Sequence, residues 1–437
     1  MYNSSPINTG SLSEIIKRLN IKNVGSATIR EVVTVVNAYE AENDDKFVRM
    51  EMGVPSLDPP SIGVNAEIAA LQAGVPSKYP MLDGLSLLKQ ESSRFIEAFL
   101  GNKVNPAFCI PVVGGMQGSY ASFVTALQCD KKKDTVLFID PGFPVQKQQL
   151  DVIGAKMKTF DVFDYRGAAL EAKLDEMLRD GDVACLLYSN PNNPSWICFV
   201  EEELQIIAKK AEEYDVIVIE DLAYFGMDFR KDLGKPFEAP YQATIAHYTD
   251  QYIQIISSSK AFSYAGQRIG VAAISDKLFT RVYPALDARY GVGTFGGVFV
   301  GRVIYALSSG ACHSAQYALA AMFKAACDGE FAFLEDVKIY GERAKVMKDL
   351  FLSHGFHLVY DKDLGEDIAD GFYFTVGYKD MSGIDLATHL IHYGISAISL
   401  DSTGSEQQGL RACMAFVKEE QFPVMKARLA AFVQDFQ

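Results

Sequence analysis

Short apolar segments alternate with helical patterns through the middle of this chain. Five of these segments are apolar on both faces, which is typical of strands buried between layers of helices. They cover residues 109–113, 135–139, 183–188, 216–220 and 252–256. This alternation of strands and helices predicts an α/β fold with a large, doubly wound, mostly parallel sheet.

The segment between two of these strands has the pattern of an amphipathic helix. In residues 201–214, apolar side chains recur at intervals of three and four positions, which places them on one face. Three glutamates occupy the first turn, and Lys209 and Lys210 lie near the end, as the helix dipole favours. A second helix is predicted from residue 116 to about residue 129, directly after the first strand.

The pattern changes after residue 304. The following part contains a predicted helix and two predicted strands, at residues 338–352, 373–378 and 395–400. We therefore expect a large domain over residues 56–304 and a smaller α+β domain over residues 305–437. Residues 1–55 contain no clear strand and are expected to pack with the smaller domain.

Composition and charge exclude several classes of protein. With 49% hydrophobic and 22% charged residues, the 437-residue chain has globular composition. The net charge of −14 argues against a nucleic-acid partner. Seven cysteines are scattered without metal-ligand spacing, which predicts no metal site and suits a reducing cytoplasm. No signal peptide is visible and no apolar run approaches the roughly 20 residues that cross a bilayer, so we expect a soluble cytoplasmic protein with no membrane partner.

Small and polar residues follow each predicted strand. In open parallel sheets, ligands bind beyond the carboxyl ends of the strands, so these loops form the candidate site. They cover residues 114–118, 140–143, 189–194, 221–224 and 257–260. Together they supply a lysine, a carboxylate, hydroxyls, aromatic rings and a glycine turn, which are the groups that bind pyridoxal phosphate.

Lys260 is the predicted attachment point for this cofactor. A lysine at the end of an apolar strand is partly desolvated, which lowers the pKa of its amine and favours Schiff-base formation. A lysine whose ammonium group simply reaches solvent is the more common explanation of such a position. The neighbouring Ser257, Ser259 and Arg268 change this balance, because hydroxyls and a guanidinium suit a phosphate dianion.

Four further features fit the same cofactor. Asp221 either caps the next helix or keeps the cofactor's ring nitrogen protonated. Tyr224 is placed to hydrogen-bond the ring oxygen and Phe143 to stack on the ring, although lone aromatic residues more often belong to the core. The pair Gly114-Gly115 before a helix lets the backbone approach an anion at the helix N-terminus.

The segment Ser257-Ser258-Ser259-Lys260, followed by Gly266-Gln267-Arg268-Ile269-Gly270, carries a family resemblance. It is similar to the S-x-[S/A]-K-x5-G-x-R-x-G attachment signature of the class I/II aminotransferases, which are fold-type I pyridoxal-phosphate enzymes. The remaining motifs agree in order and spacing from Gly53 to Arg411. The resemblance implies a homodimer that moves an amino group between an amino acid and a 2-oxo acid through a Schiff base on Lys260.

The same resemblance implies the cofactor ligands. Asn193 joins Tyr224 at the ring oxygen, backbone amides of Gly115 and Met116 hold the phosphate, and Tyr79 reaches the phosphate of the other subunit. The full implied set is Tyr79, Gly115, Met116, Phe143, Asn193, Asp221, Tyr224, Ser257, Lys260 and Arg268. Of these, Lys260, Asp221 and Tyr224 carry the catalytic roles.

The implied substrate contacts are fewer. Gly53 resembles the N-terminal G-x-P substrate loop, and Asn193 lies beside the substrate as well as the cofactor. Arg411 resembles the arginine that binds the substrate α-carboxylate in a bidentate manner. The sequence does not identify an arginine for a side-chain carboxylate, so the amino donor and acceptor stay open.

Two positions depart from the family pattern. Trp196 stands where the family has glycine, which predicts a rearranged Asn193 loop or a narrowed pocket. The glycine turn continues with Met116 where a hydroxyl side chain is common, so phosphate contacts are expected to rely on the backbone. Both departures bear on the substrate more than on cofactor attachment.

Three other functions compete with transamination. A C–S β-lyase, or another fold-type I lyase, uses the same residues and differs only in the course of the reaction. A non-catalytic sensor built on this fold would need a basic DNA-binding module, against which the charge argues. A nicotinamide oxidoreductase would need a GxGxxG fingerprint, and the chain has none.

Overall fold

The computed structural model describes residues 2–437, which form two compact units. The first unit consists of the residues through Ser56, the short segment Asn193–Ile197 and the C-terminal segment Lys338–Gln437. The second consists of Leu57–Asn192 and Cys198–Val337.

The strands are numbered in chain order. They are β1 (Val48–Arg49), β2 (Cys109–Val112), β3 (Thr135–Asp140), β4 (Lys156–Asp161), β5 (Val183–Ser189), β6 (Ile217–Leu222), β7 (Tyr252–Ser257), β8 (Gly270–Ile274), β9 (Phe356–Leu358), β10 (Lys362–Asp363), β11 (Glu366–Asp367), β12 (Tyr373–Tyr378), β13 (Ile395–Ser396), β14 (Ile398–Ser399) and β15 (Leu410–Cys413).

The α-helices are numbered in the same way. They are α1 (Thr9–Arg18), α2 (Ile29–Glu42), α3 (Ser61–Gln72), α4 (Ser86–Leu100), α5 (Gly114–Ala126), α6 (Pro144–Ile153), α7 (Ala168–Leu178), α8 (Glu201–Glu213), α9 (Asp276–Thr280), α10 (Pro284–Tyr290), α11 (Phe295–Val298), α12 (Tyr305–Ser308), α13 (His313–Cys327), α14 (Lys338–Ser353), α15 (Gly383–Leu390) and α16 (Phe422–Asp435). A π-helical segment, Phe299–Ile304, joins α11 to α12.

The second unit is built on one seven-stranded sheet with the strand order β2-β8-β7-β6-β5-β3-β4. All neighbouring pairs are parallel except those that involve β8, which is antiparallel to β2 and β7. The central strands are buried along nearly their whole length, so apolar residues on both faces stabilise them between helices. The prediction of an α/β fold with a mostly parallel sheet is confirmed.

The five predicted strands correspond to β2, β3, β5, β6 and β7, with bounds that differ by at most two residues at either end. Two strands of the sheet were not predicted. The edge strand β4 begins with the exposed residues Lys156 and Met157, so its sequence lacks the two-sided apolar pattern. The strand β8 begins at Gly270 and is rich in small residues, which gives little strand signal.

The second unit extends beyond the predicted boundary after residue 304. Helix α13 packs against α3 and α4 of the same unit, and the unit ends at Val337. Most side chains of α13 are buried, including Leu319, Met322 and Phe323. A helix with this much apolar surface needs partners on several sides, and α3 and α4 provide them. The change in pattern after residue 304 marked the irregular helices around the π-helical segment and not a domain boundary.

The first unit contains a four-stranded antiparallel sheet with the order β14-β15-β12-β9. One face of this sheet forms a core with side chains of α14, α15 and α16. Helices α1 and α2 form a second apolar cluster, which includes Ile391 and Ile398 from the C-terminal segment. In the N-terminal segment, Val48–Arg49 forms a two-residue strand that pairs in parallel with β13.

Two observations concern environment and redox state. Among residues 2–437, no helix combines the length and apolar character that crossing a membrane requires. The seven cysteines, all within the described residues, form no disulfide bond, and six of them are buried.

His392 provides a test of the core of the first unit. Its ring stacks on Tyr2 at a centroid distance of 4.1 Å, and its Nδ1 is buried without a hydrogen-bond partner. Burial, followed by repulsion from His389, lowers the pKa of His392 from 6.5 to about 4. The unfolded chain therefore binds the proton first, so protein stability falls as the pH falls from 6.5 towards 4.

We expect the difference in unfolding free energy between pH 7 and pH 5 to be about 1 kcal/mol smaller in His392→Phe than in the wild type, after allowance for partial solvent access. Urea unfolding at the two pH values measures it. Exposed His357 on β9 offers the control, because His357→Gln should leave the wild-type pH dependence in place. An unchanged pH dependence in His392→Phe would contradict the assignment.

Candidate active site

Four of the loops predicted to form the site follow the adjacent strands β3, β5, β6 and β7 of the second unit's sheet, and the fifth follows β2, beyond β8. The register pairs Ser189 of β5 with Asp221 of β6, and Asp221 with Ile255 of β7. The carboxyl ends of these parallel strands therefore lie at one edge, as binding beyond strand ends requires.

Arg268 lies directly against the start of α5. A methyl group built on Gly114 would come within 2.5 Å of Arg268 Nη2, so only glycine leaves room for this guanidinium. Arg268 itself has a left-handed backbone with φ +52°, and its Nη1 donates to the carbonyl of Ala265 at 2.8 Å. A positive charge is thus held over the first turn of α5, whose amide groups have no acceptor within the helix.

Ser257 lies beside the same turn. It is the last residue of β7, and its Cβ is 3.8 Å from the position that a methyl group on Gly115 would take. The hydroxyl oxygen accepts a hydrogen bond from the amide of Ser259 at 3.1 Å, which leaves its own proton to donate. The carbonyl of Met116 accepts from Gln149 Nε2 at 2.7 Å, which fixes the turn further.

These residues fit the phosphate end of pyridoxal phosphate. A guanidinium, a hydroxyl and the free amides of a helix N-terminus are the donors that bind a phosphate dianion. The space that a Cβ on Gly114 would fill is available because the residue is glycine with φ +67°. Gly115 and Met116 lie in this first turn of α5, and the binding of phosphate by their backbone amides stays a prediction.

Asp221 is held by two hydrogen bonds. Gln146 Nε2 donates to Oδ2 at 2.8 Å, and the amide of Ala223 donates to Oδ1 at 3.1 Å. The second bond stabilises a turn. It is not the helix cap that the structural interpretation predicted, because the next helical segment begins only at Ile245. The first bond leads to a buried side chain on α6. Burial raises the pKa of Asp221 to about 6, and the two hydrogen bonds oppose this rise. A cation such as a protonated ring nitrogen would stabilise the carboxylate form.

Lys260 lies three residues beyond the end of β7 and is half-buried. Its Nζ is 6.0 Å from the centre of the Tyr224 ring, so the two side chains that the sequence placed at the cofactor are neighbours. The carbonyl of Lys260 accepts from the amide of Ser263 at 3.2 Å, which closes the loop behind it. Phe143 is half-buried and directly precedes α6, the helix that carries Gln146.

Arg411 belongs to the first unit and is almost fully buried, with 1% of its surface exposed. Its Nη2 donates to the backbone carbonyl of Glu51, and its Nε has no hydrogen-bond partner. The Glu51 carboxylate is bound instead by Arg49 at 2.8 Å and by the hydroxyl of Ser396 at 2.7 Å. Within residues 2–437, Arg411 therefore has no carboxylate partner. A buried cation without a counter-ion is costly, and an anionic ligand would remove that cost.

Gly53 lies next to the same group of residues. A methyl group built on Gly53 would come within 2.1 Å of the hydroxyl of Tyr373, and the Tyr373 ring lies 5.0 Å from Arg411 Cζ. The structure thus brings the two predicted substrate residues of the first unit to one tyrosine, with Gly53 at its hydroxyl and Arg411 over its ring.

The segment Asn193–Ile197 belongs to the first unit, although it follows a strand of the second unit's sheet in sequence. Asn193 is buried, and its contact with the cofactor's ring oxygen stays a prediction. Tyr79 is 91% exposed, and its contact with a second subunit likewise stays a prediction.

Two residues that contact predicted site residues, one in each unit, were missed in the sequence. Gln146, on the first turn of α6, contacts Asp221, and its only signal is its position three residues after Phe143. Tyr373 was predicted as part of a strand, but its contact with Arg411 depends on the register of β12 and β15. Neither relation can be obtained from spacing along the chain. In the described residues, no cluster of histidine, cysteine, aspartate or glutamate has the arrangement of a metal site.

Comparison with known proteins identifies relatives over most of the chain. The family model for aminotransferase class I and II matches residues 45–429. A probable aspartate aminotransferase of Methanocaldococcus jannaschii is 23% identical over 59% of this chain and 63% of its own length. An LL-diaminopimelate aminotransferase of Natranaerobius thermophilus is 21% identical over 74% of this chain and 76% of its own. The chain thus spans less than two thirds of the first relative's length.

Solved structures show the same fold. The aspartate aminotransferase of Thermus thermophilus with maleate has a TM-score of 0.71 at 18% identity, covering 93% of this chain and 96% of the other. The aspartate aminotransferase of Thermotoga maritima has a TM-score of 0.74 at 17% identity, covering 97% and 99%. The names of the relatives and the family model support the aminotransferase interpretation over the lyase and sensor alternatives.

The contact between Gly114 and Arg268 yields a test of the phosphate site. Gly114→Ala should weaken binding of pyridoxal phosphate about tenfold or more, because its methyl group displaces the guanidinium. Spectroscopic titration with the cofactor measures this affinity. Gly154→Ala is a matched control, because Gly154 has a similar φ of +73° and nothing within 4 Å of an added methyl group. Equal losses in both variants would attribute the effect to backbone strain alone.

Proposed function

The chain belongs to the aminotransferase class I and II family, and on this premise we propose that it is a pyridoxal-phosphate-dependent aminotransferase. It moves an amino group between an amino acid and a 2-oxo acid. The observation that carries the proposal is the Arg268 guanidinium held against Gly114 at the start of α5, with Ser257 beside the turn. This donor set suits the phosphate of the family's cofactor.

The cofactor is held at three points in this proposal. Arg268, Ser257 and the α5 amides bind the phosphate, Asp221 binds the ring nitrogen, and Tyr224 with Asn193 binds the ring oxygen. When bound, pyridoxal phosphate supplies an aldehyde that condenses with amines and a ring that withdraws electrons from the substrate α-carbon. Phe143 stacks on the ring.

Lys260 has two tasks. Its Nζ would hold the cofactor covalently, and its amine, when free, would remove and return the proton at the substrate α-carbon. The phenol of Tyr224 donates its one proton to the ring oxygen in this proposal, and its ring lies beside the Lys260 amine, 6.0 Å from Nζ. Asp221 keeps a proton at the ring nitrogen, and Gln146 fixes the carboxylate for that task.

Arg411 binds the substrate α-carboxylate. Its buried guanidinium, whose Nε has no hydrogen-bond partner and which has no carboxylate partner among residues 2–437, matches a ligand with two oxygens. Gly53 continues the substrate loop beside Tyr373. Both oxo-acid and amino-acid substrates carry this carboxylate, so one arginine serves both halves of the reaction.

The reaction itself is tested by a single-substrate experiment. Adding an amino acid without an oxo acid should convert the cofactor to its amine form, because a transaminase stores the amino group. Lys260→Ala should lose turnover by roughly 10³-fold or more and should lose the absorption band of the lysine-bound cofactor. Release of ammonia with return of the original spectrum would instead indicate a lyase. A panel of donors with 2-oxoglutarate and pyruvate then identifies the substrates.

The proposal includes a cytoplasmic homodimer. The free cysteines suit a reducing compartment. Tyr79 and Met81, which are 91% and 72% exposed, present large apolar side chains on one short segment, as subunit contacts do. Tyr79 is proposed to reach the phosphate bound by the other subunit.

A subunit-mixing experiment tests the role of Tyr79. Tyr79→Ala alone should lower cofactor affinity about tenfold, because one hydrogen bond to a charged group is lost. A hybrid of one Tyr79→Ala subunit and one Lys260→Ala subunit should recover one site with wild-type affinity. Met81→Ala serves as the control for loss of apolar surface. Absence of recovery in the hybrid, or a monomer by light scattering, would contradict the proposed dimer.

A further inference from the structure

Trp196 is the only tryptophan of the chain and has an unusual backbone. It is fully buried, and its φ of +64° lies in the left-handed region, where a large side chain costs about 1 kcal/mol or more. Glycine would adopt this conformation without that cost. A buried side chain retained under strain suggests a function for its ring.

The indole lies directly on Gly371. A methyl group built on Gly371 would come within 2.0 Å of Cε2 and 2.1 Å of Nε1 of Trp196, so glycine at 371 is a condition for this placement. The indole also contacts the Tyr373 ring, with a centroid distance of 6.1 Å and an interplanar angle of 67°. This T-shaped geometry is favourable for aromatic pairs.

Tyr373 connects Trp196 to Arg411. Its ring lies under the guanidinium at 5.0 Å, and its hydroxyl lies over Gly53. The sheet register explains the contact with Arg411. Tyr373 pairs with Cys413 and Thr375 pairs with Arg411, so Tyr373 and Arg411 are diagonal neighbours on one face, within reach of long side chains.

Few interactions hold the guanidinium of Arg411. Its Nη2 is bound to the carbonyl of Glu51, its Nε has no partner, and the Tyr373 ring supports one face. An arginine side chain loses up to about 2 kcal/mol of conformational entropy when it is fixed. A contact that restricts Tyr373 therefore also restricts the Arg411 side chain before a carboxylate binds. Less conformational entropy is then lost during binding.

We propose that Trp196 is a positioning residue that acts through Tyr373 to hold Arg411 in the orientation that binds a carboxylate. This inference rests on the proposed role of Arg411 in the aminotransferase. These contacts form one continuous stack, Gly371–Trp196–Tyr373–Arg411. The glycine leaves room for the indole, and the indole restricts the position of the tyrosine ring. The strained backbone at Trp196 is the cost of placing an indole in that stack.

Binding of propionate provides the first test, because this carboxylate has no amino or oxo group to react with a cofactor. Calorimetric titration of the purified enzyme should show binding to the wild type and loss of binding in Arg411→Gln. In Trp196→Gly the Kd for propionate should rise about tenfold. Trp196→Phe should recover part of this loss, because a smaller aromatic ring still contacts Tyr373.

Gly371→Ala tests the same stack without removing the indole. Its methyl group displaces Trp196, so the Kd should rise as in Trp196→Gly. Added to Trp196→Gly, the same substitution should have no further effect, because the methyl group then has room. Gly10→Ala on exposed helix α1 is the control, since its nearest neighbour would be an ordinary 3.4 Å away. Because the chain has one tryptophan, its fluorescence emission reports the surroundings of Trp196. The emission of the wild type should change when propionate binds, and the emission of Arg411→Gln should not.

Kinetic constants separate positioning from general support. Trp196→Gly should raise KM for the 2-oxo acid about tenfold and leave kcat within about threefold. A lower melting temperature with an unchanged Kd and KM would mean that Trp196 only supports the fold and would overturn the proposal. So would wild-type affinity for propionate in Arg411→Gln, or no propionate binding to the wild type. The expected propionate results in an enzyme without transaminase activity would uphold the stack and refute the proposed function alone.

Discussion

The parallel ladder through β3, β5, β6 and β7 is the constraint on which the candidate site depends. Its strands are buried on both faces, so most side chains within the ladder are apolar, and many of the polar groups lie where the strands end. Because the strands are parallel, their carboxyl ends share one edge, and residues far apart in sequence become neighbours there. The pairing of Ser189 with Asp221 and of Asp221 with Ile255 fixes their relative heights. Arg268 and Gly114 then meet because β8 returns between β7 and β2.

Two adjacent acidic residues at the end of β6 have different roles, one structural and one in the candidate site. Glu220 and Asp221 point to opposite faces of the strand, since side chains alternate. Glu220 accepts hydrogen bonds from the hydroxyls of Tyr188 and Thr244 and from the amide of Ile245, and burial raises its pKa to about 7. Its environment stabilises a group that needs no further ligand. Asp221 has only Gln146 and one backbone amide, so it retains the capacity to bind a cation.

Much of the fold and part of the site could be predicted from the sequence, for reasons that differ between elements. Strands with two apolar faces, such as β5, have a clear pattern in the sequence. The edge strand β4 lacks that pattern, because one face and one end of it are exposed. Lys260 and Arg268 lie in one short motif, so their proximity could be predicted from the sequence alone. Gln146 and Tyr373 act through contacts set by helix packing and strand register, and neither is encoded in spacing. The predicted domain boundary after residue 304 was wrong for the same reason. Helix α13 packs against α3 and α4, which lie more than 200 residues earlier in the chain.

In the first unit, three features that ordinary stability would disfavour occur together. Arg411 is a buried cation without a carboxylate partner, Trp196 has a left-handed backbone, and Gly371 carries no side chain in a buried region. Each costs free energy, and local inconsistencies of this kind concentrate where function requires them. Their contacts account for the coincidence. The indole needs the glycine for space, Tyr373 lies between indole and guanidinium, and the guanidinium keeps a free Nε that only an incoming anion would satisfy. The tryptophan at position 196 therefore depends on the glycine at position 371 for space. Through Tyr373, both residues affect Arg411, the buried cation that an anionic ligand would stabilise.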